Sequence, residues 1–144
     1  MGNLPRVSIV IVNWNGLEFL NACLNSLNNL NYPKSKLEII LVDNNSIDGS
    51  VKFVKENFPQ VRTIKLEGNN YCKSNNVGIK AAKGKYVALL NNDTIVDKNW
   101  LIELVKVIEK DKKIGGVGGK ILFMDGKINS AGQKRAHNFS WYDI

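Results

Sequence analysis

Apolar positions along the chain follow two alternating spacings, which predict strands and helices in turn. Short runs rich in β-branched residues predict strands, and apolar residues three or four positions apart predict helices. The predicted strands are Val7–Val12, Leu37–Val42, Val61–Leu66, Lys85–Leu90 and Val117–Phe123. The predicted helices are Leu17–Leu30, Asp48–Asn57, Ser74–Lys83 and Trp100–Lys110. Repeated strand–helix units with short loops predict an α/β fold, with a mostly parallel sheet and helices on both faces.

A dense apolar run, Tyr86 to Leu90, leads directly into the polar residues Asn91, Asn92 and Asp93. A run this dense predicts a parallel strand that is covered on both faces. Open α/β sheets bind ligands just beyond the carboxyl ends of their strands. Because a carboxylate is a ligand for hard cations, the sequence predicts a metal site here for a phosphate-bearing substrate.

The C-terminal part of the chain gives weaker signals. Asp125-Gly126 predicts a hairpin between Val117–Phe123 and Lys127–Ser130. The last stretch, Gln133–Ile144, has no clear periodicity and no helix-ending or tail-like composition. We therefore expect a single domain over residues 1–144 whose architecture is truncated at the C-terminus. A sheet without its later elements exposes apolar surface and an unpaired edge, which predicts self-association or low solubility.

Composition and charge narrow the functional classes. The 144 residues are 44% hydrophobic and 23% charged, as in an ordinary globular domain. No apolar run approaches the roughly 20 residues of a membrane span, and no signal-peptide core follows Met1, so we expect a cytoplasmic protein. The net charge of +7 suits a protein that binds anionic substrates, nucleic acid or a membrane surface. It is also typical of a lysine-rich surface that contacts only solvent. The lysines are spread out with little aromatic interleaving, so we expect no nucleic-acid binding.

The two cysteines, Cys23 and Cys72, are far apart and lack C-x-x-C spacing. This pattern predicts packed free thiols rather than a disulfide or a metal site.

Polar loops follow three of the predicted parallel strands: Asn13–Gly16, Asp43–Ser50 and Asn91–Thr94. The carboxyl ends of parallel strands share one edge of a sheet, so we expect the loops to converge on one crevice. Each loop alone also suits an ordinary turn, since Asn, Asp, Ser and Gly favour turns. No G-x-G-x-x-G or Walker motif is present, so phosphate would be bound by a cation and by side chains.

The same loops carry a resemblance to a known family. The matching segments are Val7–Gly16 (VSIVIVNWNG), Leu41–Ser50 (LVDNNSIDGS), Asn75–Gly84 and Leu89–Thr94 (LLNNDT), in the family's order and spacing. From about Val7 to about Gly132 the chain resembles family 2 glycosyltransferases of the Rossmann-like GT-A fold, in the rhamnosyltransferase-like group of cell-surface polysaccharide enzymes. The resemblance implies inverting transfer of a sugar from a nucleoside-diphosphate sugar to a polysaccharide or a lipid-linked acceptor. Many members work at the cytoplasmic face of a membrane, which leaves peripheral membrane association open.

The resemblance also implies residue roles. Asn91-Asn92-Asp93 matches the family's D-x-D motif in an N-x-D form. Asp93 would be the main protein ligand of Mn²⁺ or Mg²⁺ that bridges the donor diphosphate, and Asn91 would replace the first acid as a weaker ligand. Asp43 and Asn44 would hydrogen-bond the base or ribose, Asn13 and Trp14 would line the base pocket, and Asn75 and Asn76 would lie near the ribose and phosphates. The full implied substrate-binding set is Asn13, Trp14, Asp43, Asn44, Asn75, Asn76 and Asn92.

The chain departs from the family pattern before that asparagine pair. Where members often have G-F-A-x-G-N-N, this chain has N-Y-C-K-S-N-N at residues 70–76. Ser74 in place of glycine would restrict the loop. Lys73 suits a phosphate contact or an ordinary exposed position.

No catalytic residue is identified. Inverting transfer needs a general base to deprotonate the acceptor hydroxyl, and the family's carboxylate lies well beyond the metal motif. After Gly132 the only acid is Asp143, and the lone His137 is more typical of a packing residue. We therefore expect donor binding more than turnover. The alternative is a non-catalytic nucleotide-binding module that needs a partner chain. A nucleotidyltransferase lacks support, because no glycine- and arginine-rich phosphate loop follows the first strand.

Overall fold

The computed structural model describes residues 4–135 and 141–143, and the predicted alternation of strands and helices is confirmed there. The strands are β1 (Val7–Asn13), β2 (Leu37–Asp43), β3 (Arg62–Lys65), β4 (Tyr86–Asn91), β5 (Ile121–Leu122), β6 (Ile128–Ser130), β7 (Gln133–Arg135) and β8 (Trp141–Asp143). The helices are α1 (Leu17–Asn28), α2 (Ser50–Asn57), α3 (Tyr71–Ala81) and α4 (Trp100–Ile108), with a short 3-10 helix at Lys34–Lys36. The chain forms two compact units, residues 1–98 and 99–144. Whether these two units act as one domain, as expected from the sequence, stays a prediction.

The first unit contains a four-stranded parallel sheet in the order β3-β2-β1-β4. This sheet confirms the predicted α/β architecture. The register places Asn13 opposite Asp43, and Val12 opposite Asn91. The carboxyl ends of β1, β2 and β4 therefore lie level with one another at one edge of the sheet.

The core of the first unit lies on both faces of β1, which is buried along its whole length. On one face, α3 packs against the sheet through Gly78. A Cβ atom there would lie 2.2 Å from a methyl group of Val10, so only glycine allows this close approach. Strand alternation points Ile9 and Ile11 to the opposite face, where right-handed crossovers place α1 and α2.

The prediction that the strand after Lys85 is covered on both faces is wrong. Residues along β4 alternate between half-buried and exposed, with Val87 37% and Leu89 50% exposed. The physical reason is that alternate residues of a strand point to opposite faces of the sheet, and the face that carries Val87 and Leu89 is not fully covered by other elements. A dense apolar run therefore did not imply full burial here.

The start of α3 also differs from the prediction. The helix begins at Tyr71 rather than at Ser74, because the Asn70 side chain caps it by accepting a hydrogen bond from the Lys73 N–H at 2.9 Å. This earlier start places Tyr71 in the first turn of the helix. Both cysteines are free thiols, as predicted, and Cys23 is buried. Cys72 lies exposed in the first turn of α3, so the expectation that it is packed is wrong.

In the second unit, the predicted hairpin is confirmed. β5 pairs with β6 in antiparallel fashion, and Gly126 adopts a positive φ of 84° in the turn. The predicted strand Val117–Phe123 shortens to Ile121–Leu122, since the glycines before it offer no side chains to pack. Strands β7 and β8, which no periodicity predicted, form a second antiparallel pair. His137 lies outside the described residues.

Over the described ranges, we find no helix with the length and apolar character needed to cross a bilayer.

Candidate functional site

An open cavity of about 290 Å³ lies at the carboxyl edge of the parallel sheet. This volume is at the low end of the range of about 300–1,000 Å³ for small-molecule sites. Its lining comes from the ends of β1, β2 and β4 and from the segment that enters α3, so the loops converge on one crevice as predicted. The lining residues are Val12, Trp14, Asn44, Asn69, Tyr71, Asn91, Asn92 and Asp93.

Directly behind this cavity, Asn13 and Asp43 belong to a buried hydrogen-bond network. Both residues are 0% exposed. The Asn13 amide donates to Asp43 Oδ1 at 3.0 Å, and the Ser46 hydroxyl donates to the same oxygen at 2.6 Å. The Ser46 backbone N–H donates to Asp43 Oδ2 at 2.9 Å. Both oxygens of this buried carboxylate are therefore satisfied by the protein, and Asp43 joins β1 to the β2–α2 loop.

A further hydrogen bond connects this network to the loop after β4. The Asn92 side chain donates to Asn13 Oδ1 at 2.8 Å. Gly16 passes directly over this bond: a Cβ atom there would lie 2.1 Å from Asn92 Nδ2 and 2.7 Å from Asn13 Oδ1. The glycine at the start of α1 is therefore required so that the loops after β1 and β4 can approach each other.

The β1–α1 and β2–α2 loops are held together by hydrogen bonds that sequence reasoning missed. The Asn15 N–H donates to Ser46 Oγ at 2.8 Å, and the Ile47 N–H donates to Asn15 Oδ1 at 2.9 Å. Asp48 accepts from the Leu17 N–H and from the Ser50 N–H, each at 2.9 Å. These contacts fix the backbone that follows Trp14, which is 55% exposed and lines the cavity.

Burial alone would raise the pKa of Asp48. The hydrogen bonds that it accepts from Ser50 and Leu17 outweigh that effect and hold the pKa below its usual value. Asp48 is therefore charged at neutral pH, and it binds the first residues of two helices, where negative charge is favourable.

The loop after β4 presents one carboxylate to the cavity. Asp93 is exposed and makes no hydrogen bond or ion pair that the structure records within the described ranges. The two residues before it are engaged: the Asn92 side chain binds Asn13, and the Asn91 side chain accepts from the Tyr71 hydroxyl at 3.0 Å. The loop is thus anchored on its strand side and leaves Asp93 available to a ligand.

Cys23 lies beneath this loop, where its thiol donates to the Asn91 carbonyl at 3.8 Å. Burial, reinforced by the negative charge of Asp93, raises the pKa of Cys23 to about 11. The thiol is therefore protonated at neutral pH and acts as a donor, not as a nucleophile or a metal ligand.

The donor set suits a divalent cation that shares its coordination with a diphosphate. Within the described residues, no group of three or more His, Cys, Asp or Glu side chains is close enough to hold a metal by itself. Mg²⁺ and similar hard cations are commonly bound by one or two carboxylates together with substrate phosphates and water. The residues present fit that pattern, with Asp93 as the carboxylate.

The site residues that the family resemblance implies differ in their position relative to the cavity. Trp14, Asn44, Asn91, Asn92 and Asp93 line the cavity, whereas Asn13 and Asp43 lie behind it. Asn75 and Asn76 are within α3 and outside the lining; Asn75 is buried and donates to the Tyr71 carbonyl at 3.0 Å, and Asn76 is exposed.

Besides the apolar Val12, two polar lining residues, Asn69 and Tyr71, were missed. Both follow β3, whose carboxyl end lies at the same edge of the sheet as the other strand ends. That shared edge was the signal that could have identified them. Asn69 accepts from the Asn44 amide at 3.2 Å. Asn44 in turn accepts from the hydroxyl of Ser74, which gives a role to the serine that replaces the family's glycine.

Known proteins are similar to this chain in sequence and fold. The chain matches the family model for glycosyl transferase family 2 over residues 8–141. It is 35% identical over 133 residues to the O-antigen biosynthesis protein RfbC of Myxococcus xanthus, an alignment that covers 89% of this chain and 10% of that protein. The structure of S. aureus TarS in complex with UDP-GlcNAc aligns with a TM-score of 0.68 and 26% identity, over 82% of this chain and 37% of that chain.

A further solved structure, the mannosyltransferase PcManGT from Pyrobaculum calidifontis in complex with GDP-Man and Mn²⁺, aligns with a TM-score of 0.73 and 23% identity, over 79% of this chain and 35% of that chain. These likenesses confirm the predicted GT-A fold. The chain spans between 10% and 40% of the length of the first three curated relatives that it matches. Since the family model covers nearly all of this chain, the chain belongs to glycosyl transferase family 2.

Proposed function

We propose that this chain carries the donor-binding part of an inverting glycosyltransferase that uses a nucleoside-diphosphate sugar and a polysaccharide or lipid-linked acceptor. The observation that carries the proposal is Asp93, a carboxylate without a protein partner in the described structure, at the edge of the sheet where α/β proteins bind ligands. An exposed indole and several amides line the same cavity. This combination suits a base, a ribose and a metal-bound diphosphate.

Several residues in or beside the cavity have distinct proposed roles. The Trp14 ring offers an exposed face on which a base can stack. Asn44 and Asn69 hydrogen-bond the base or ribose, and Asn76, exposed on α3, lies near the ribose and phosphates. Asp93 holds Mn²⁺ or Mg²⁺ together with the diphosphate. A bound cation would neutralise the negative charge that develops on the leaving nucleoside diphosphate.

The relatives support this choice of ligand. TarS has been solved with UDP-GlcNAc, and PcManGT with GDP-Man and Mn²⁺. RfbC is named for O-antigen biosynthesis, which fits a polysaccharide acceptor. The titrations below identify the base that this chain binds.

Calorimetric titration of UDP, GDP, dTDP and CDP, each with and without Mn²⁺, tests the donor site. We expect manganese-dependent binding of one nucleotide. Asp93→Ala should weaken binding in Mn²⁺ by at least about tenfold, because it removes the charged ligand of the cation. Glu67→Ala is the matched control, since Glu67 is an exposed acid of the same unit that does not line the cavity.

Two results would contradict the proposal at different levels. If Asp93→Ala binds as tightly as the wild type in Mn²⁺, the metal assignment is wrong. If a well-folded wild-type sample binds none of the four nucleotides, the donor-binding assignment is wrong.

A specific observation also favours a second candidate, a donor-binding module without turnover of its own. Among the cavity-lining residues that the structure describes, Asp93 is the only carboxylate. A carboxylate that binds a cation cannot at the same time accept the proton of the acceptor hydroxyl. We therefore propose that the base comes from outside these residues. Release of free nucleotide from a sugar donor by this chain alone would exclude the second candidate.

A further inference from the structure

A hydrogen bond joins two parts of the cavity wall that are far apart in the sequence. The Tyr71 hydroxyl donates to Asn91 Oδ1 at 3.0 Å. Tyr71 is the first residue of α3, and Asn91 is the last residue of β4. Both side chains line the cavity. The contact therefore connects the start of a helix to the loop that presents Asp93.

The helix end that carries Tyr71 is itself well fixed. The Asn70 side chain caps the helix, and the buried Asn75 side chain donates to the Tyr71 carbonyl at 3.0 Å. About two turns after Tyr71, Gly78 brings the helix against Val10 and Val42 of the sheet. The backbone of Tyr71 is held at these points, and its ring, which is 56% exposed, extends from this fixed position to Asn91.

The loop after β4 is held by side-chain contacts as well as by its backbone. Asn92 is bound by Asn13, and the Asn91 carbonyl is bound by the Thr94 N–H at 3.3 Å and by the Cys23 thiol. For the exposed Asn91 side chain, the bond from Tyr71 is the contact that the structure records. Loss of that hydroxyl would release the Asn91 side chain, at the point where β4 passes into the loop, while the ring of residue 71 stayed in place.

On the basis of the proposed function, we propose that Tyr71 is a positioning residue for the metal loop: its hydroxyl holds Asn91 so that Asp93 is aimed at the cation and diphosphate. The family pattern quoted above has phenylalanine in the segment where this chain has Tyr71, and phenylalanine cannot make this bond. Tyr71 acts through Asn91 and affects the metal-dependent part of nucleotide binding. The metal-independent part depends on Trp14, Asn44 and Asn69, which do not touch this bond.

The test measures the factor by which saturating Mn²⁺ lowers the Kd of the nucleotide that the wild type binds, here called the metal increment. Tyr71→Phe should lower the metal increment by about two- to tenfold, the range expected for one net hydrogen bond. The Kd without metal should stay unchanged, which shows that the fold and the base site are intact. Tyr86→Phe is the matched control, because it removes a hydroxyl at the opposite end of β4.

A double-mutant cycle separates positioning from a general structural effect. Asn91→Ala should lower the metal increment by a similar factor, and the double variant should lower it no further, because both changes remove the same bond. Independent, multiplicative losses would overturn the inference.

Three other outcomes would overturn it as well, and they are distinguishable. An unchanged metal increment in Tyr71→Phe means that the hydroxyl does not position the loop. An equal loss of affinity with and without Mn²⁺ means that the hydroxyl contacts the nucleotide directly. If the wild type binds no nucleotide at all, the proposed function itself fails, and the inference fails with it.

Discussion

The neighbouring strands β1 and β4 show how one kind of apolar pattern leads to two environments. They pair in parallel, from Val7 opposite Tyr86 to Val12 opposite Asn91. Every residue of β1 is buried, whereas β4 alternates between half-buried and exposed residues. β1 has a strand on each side, and β4 is an outer strand of the described sheet. Coverage of the two strand faces, and not apolar content, decides the difference.

The same contrast extends to the polar residues that follow each strand. β1 ends in Asn13, which is 0% exposed and bonded to Asp43 and Asn92. β4 ends two residues before Asp93, which is exposed to the cavity and has no recorded partner in the described part of the chain. The central strand supplies the rigid support, and the outer strand supplies the group that is free to bind a ligand.

The comparison of β1 with β4 predicts the largest change in the free energy of unfolding when a large apolar side chain is truncated. Ile11→Ala in β1 and Leu89→Ala in β4 each remove three carbons, but Ile11 is 0% and Leu89 50% exposed. Ile11→Ala should lower the free energy of unfolding by about 3 kcal/mol, because it leaves a cavity, and Leu89→Ala by less than about 1 kcal/mol. Urea denaturation of both variants checks this. Equal losses would mean that β4 is covered in solution, for example by self-association.

A smaller loss of stability is expected from a substitution at the point where the loops after β1 and β4 meet. Gly16→Ala should force Asn13 and Asn92 apart, since the new Cβ would lie 2.1 Å from Asn92 Nδ2. We expect a loss of about 2 kcal/mol in the free energy of unfolding, typical of overpacking, and weaker manganese-dependent nucleotide binding. Gly118→Ala is the control, because no atom lies within 4 Å of a Cβ there. A Gly16→Ala variant that behaves like this control would show that the two loops are not in contact.

The smallest loss of stability is expected from a substitution of Asp48, which links the β1–α1 and β2–α2 loops, and the size of this loss depends on pH. Hydrogen bonds from Ser50 and Leu17 outweigh the effect of burial and lower the pKa of Asp48 in the folded state. This contribution to stability is therefore present at neutral pH and is lost as pH falls below about 4, through the lowered folded pKa. Asp48→Asn should cost about 1 kcal/mol at pH 7, as for a helix cap, and less in acid.

Urea denaturation of the wild type and Asp48→Asn at a series of pH values measures this difference. The two curves of unfolding free energy against pH should converge at low pH. Curves that stay parallel throughout would show that the charge of Asp48 does not stabilise the loops.

Much of the fold follows from local pattern. The spacing of apolar residues predicted the strands that became β1 and β2 to within a residue, and α1 to within two residues at its end. Hydrogen bonds and side-chain spacing repeat along such segments, so short stretches of sequence contain the needed information. The position of Asp93 was also predictable, because a residue that directly follows a parallel strand must lie at the carboxyl edge of the sheet.

The orientation of the site residues was not predictable in the same way. The nucleotide contact expected of Asp43 stays a prediction, but nothing in the sequence indicated that both of its oxygens are bound by Asn13 and Ser46. Asn13 is 30 residues away in the chain, and the two side chains meet only because β1 and β2 pair in this register. Tyr71 was missed because its place depends on where the Asn70 cap starts α3.

By itself, the sequence determined the order of strands and helices, the parallel architecture and the edge where polar residues gather, because each depends on periodicity or on a short motif. Only the tertiary structure decided that Asp43 is bonded inward while Asp93 is open, that β4 is partly exposed, and that Tyr71 reaches Asn91. These features depend on contacts between segments distant in sequence. Such contacts are set by strand order, register and helix placement, which no local pattern encodes.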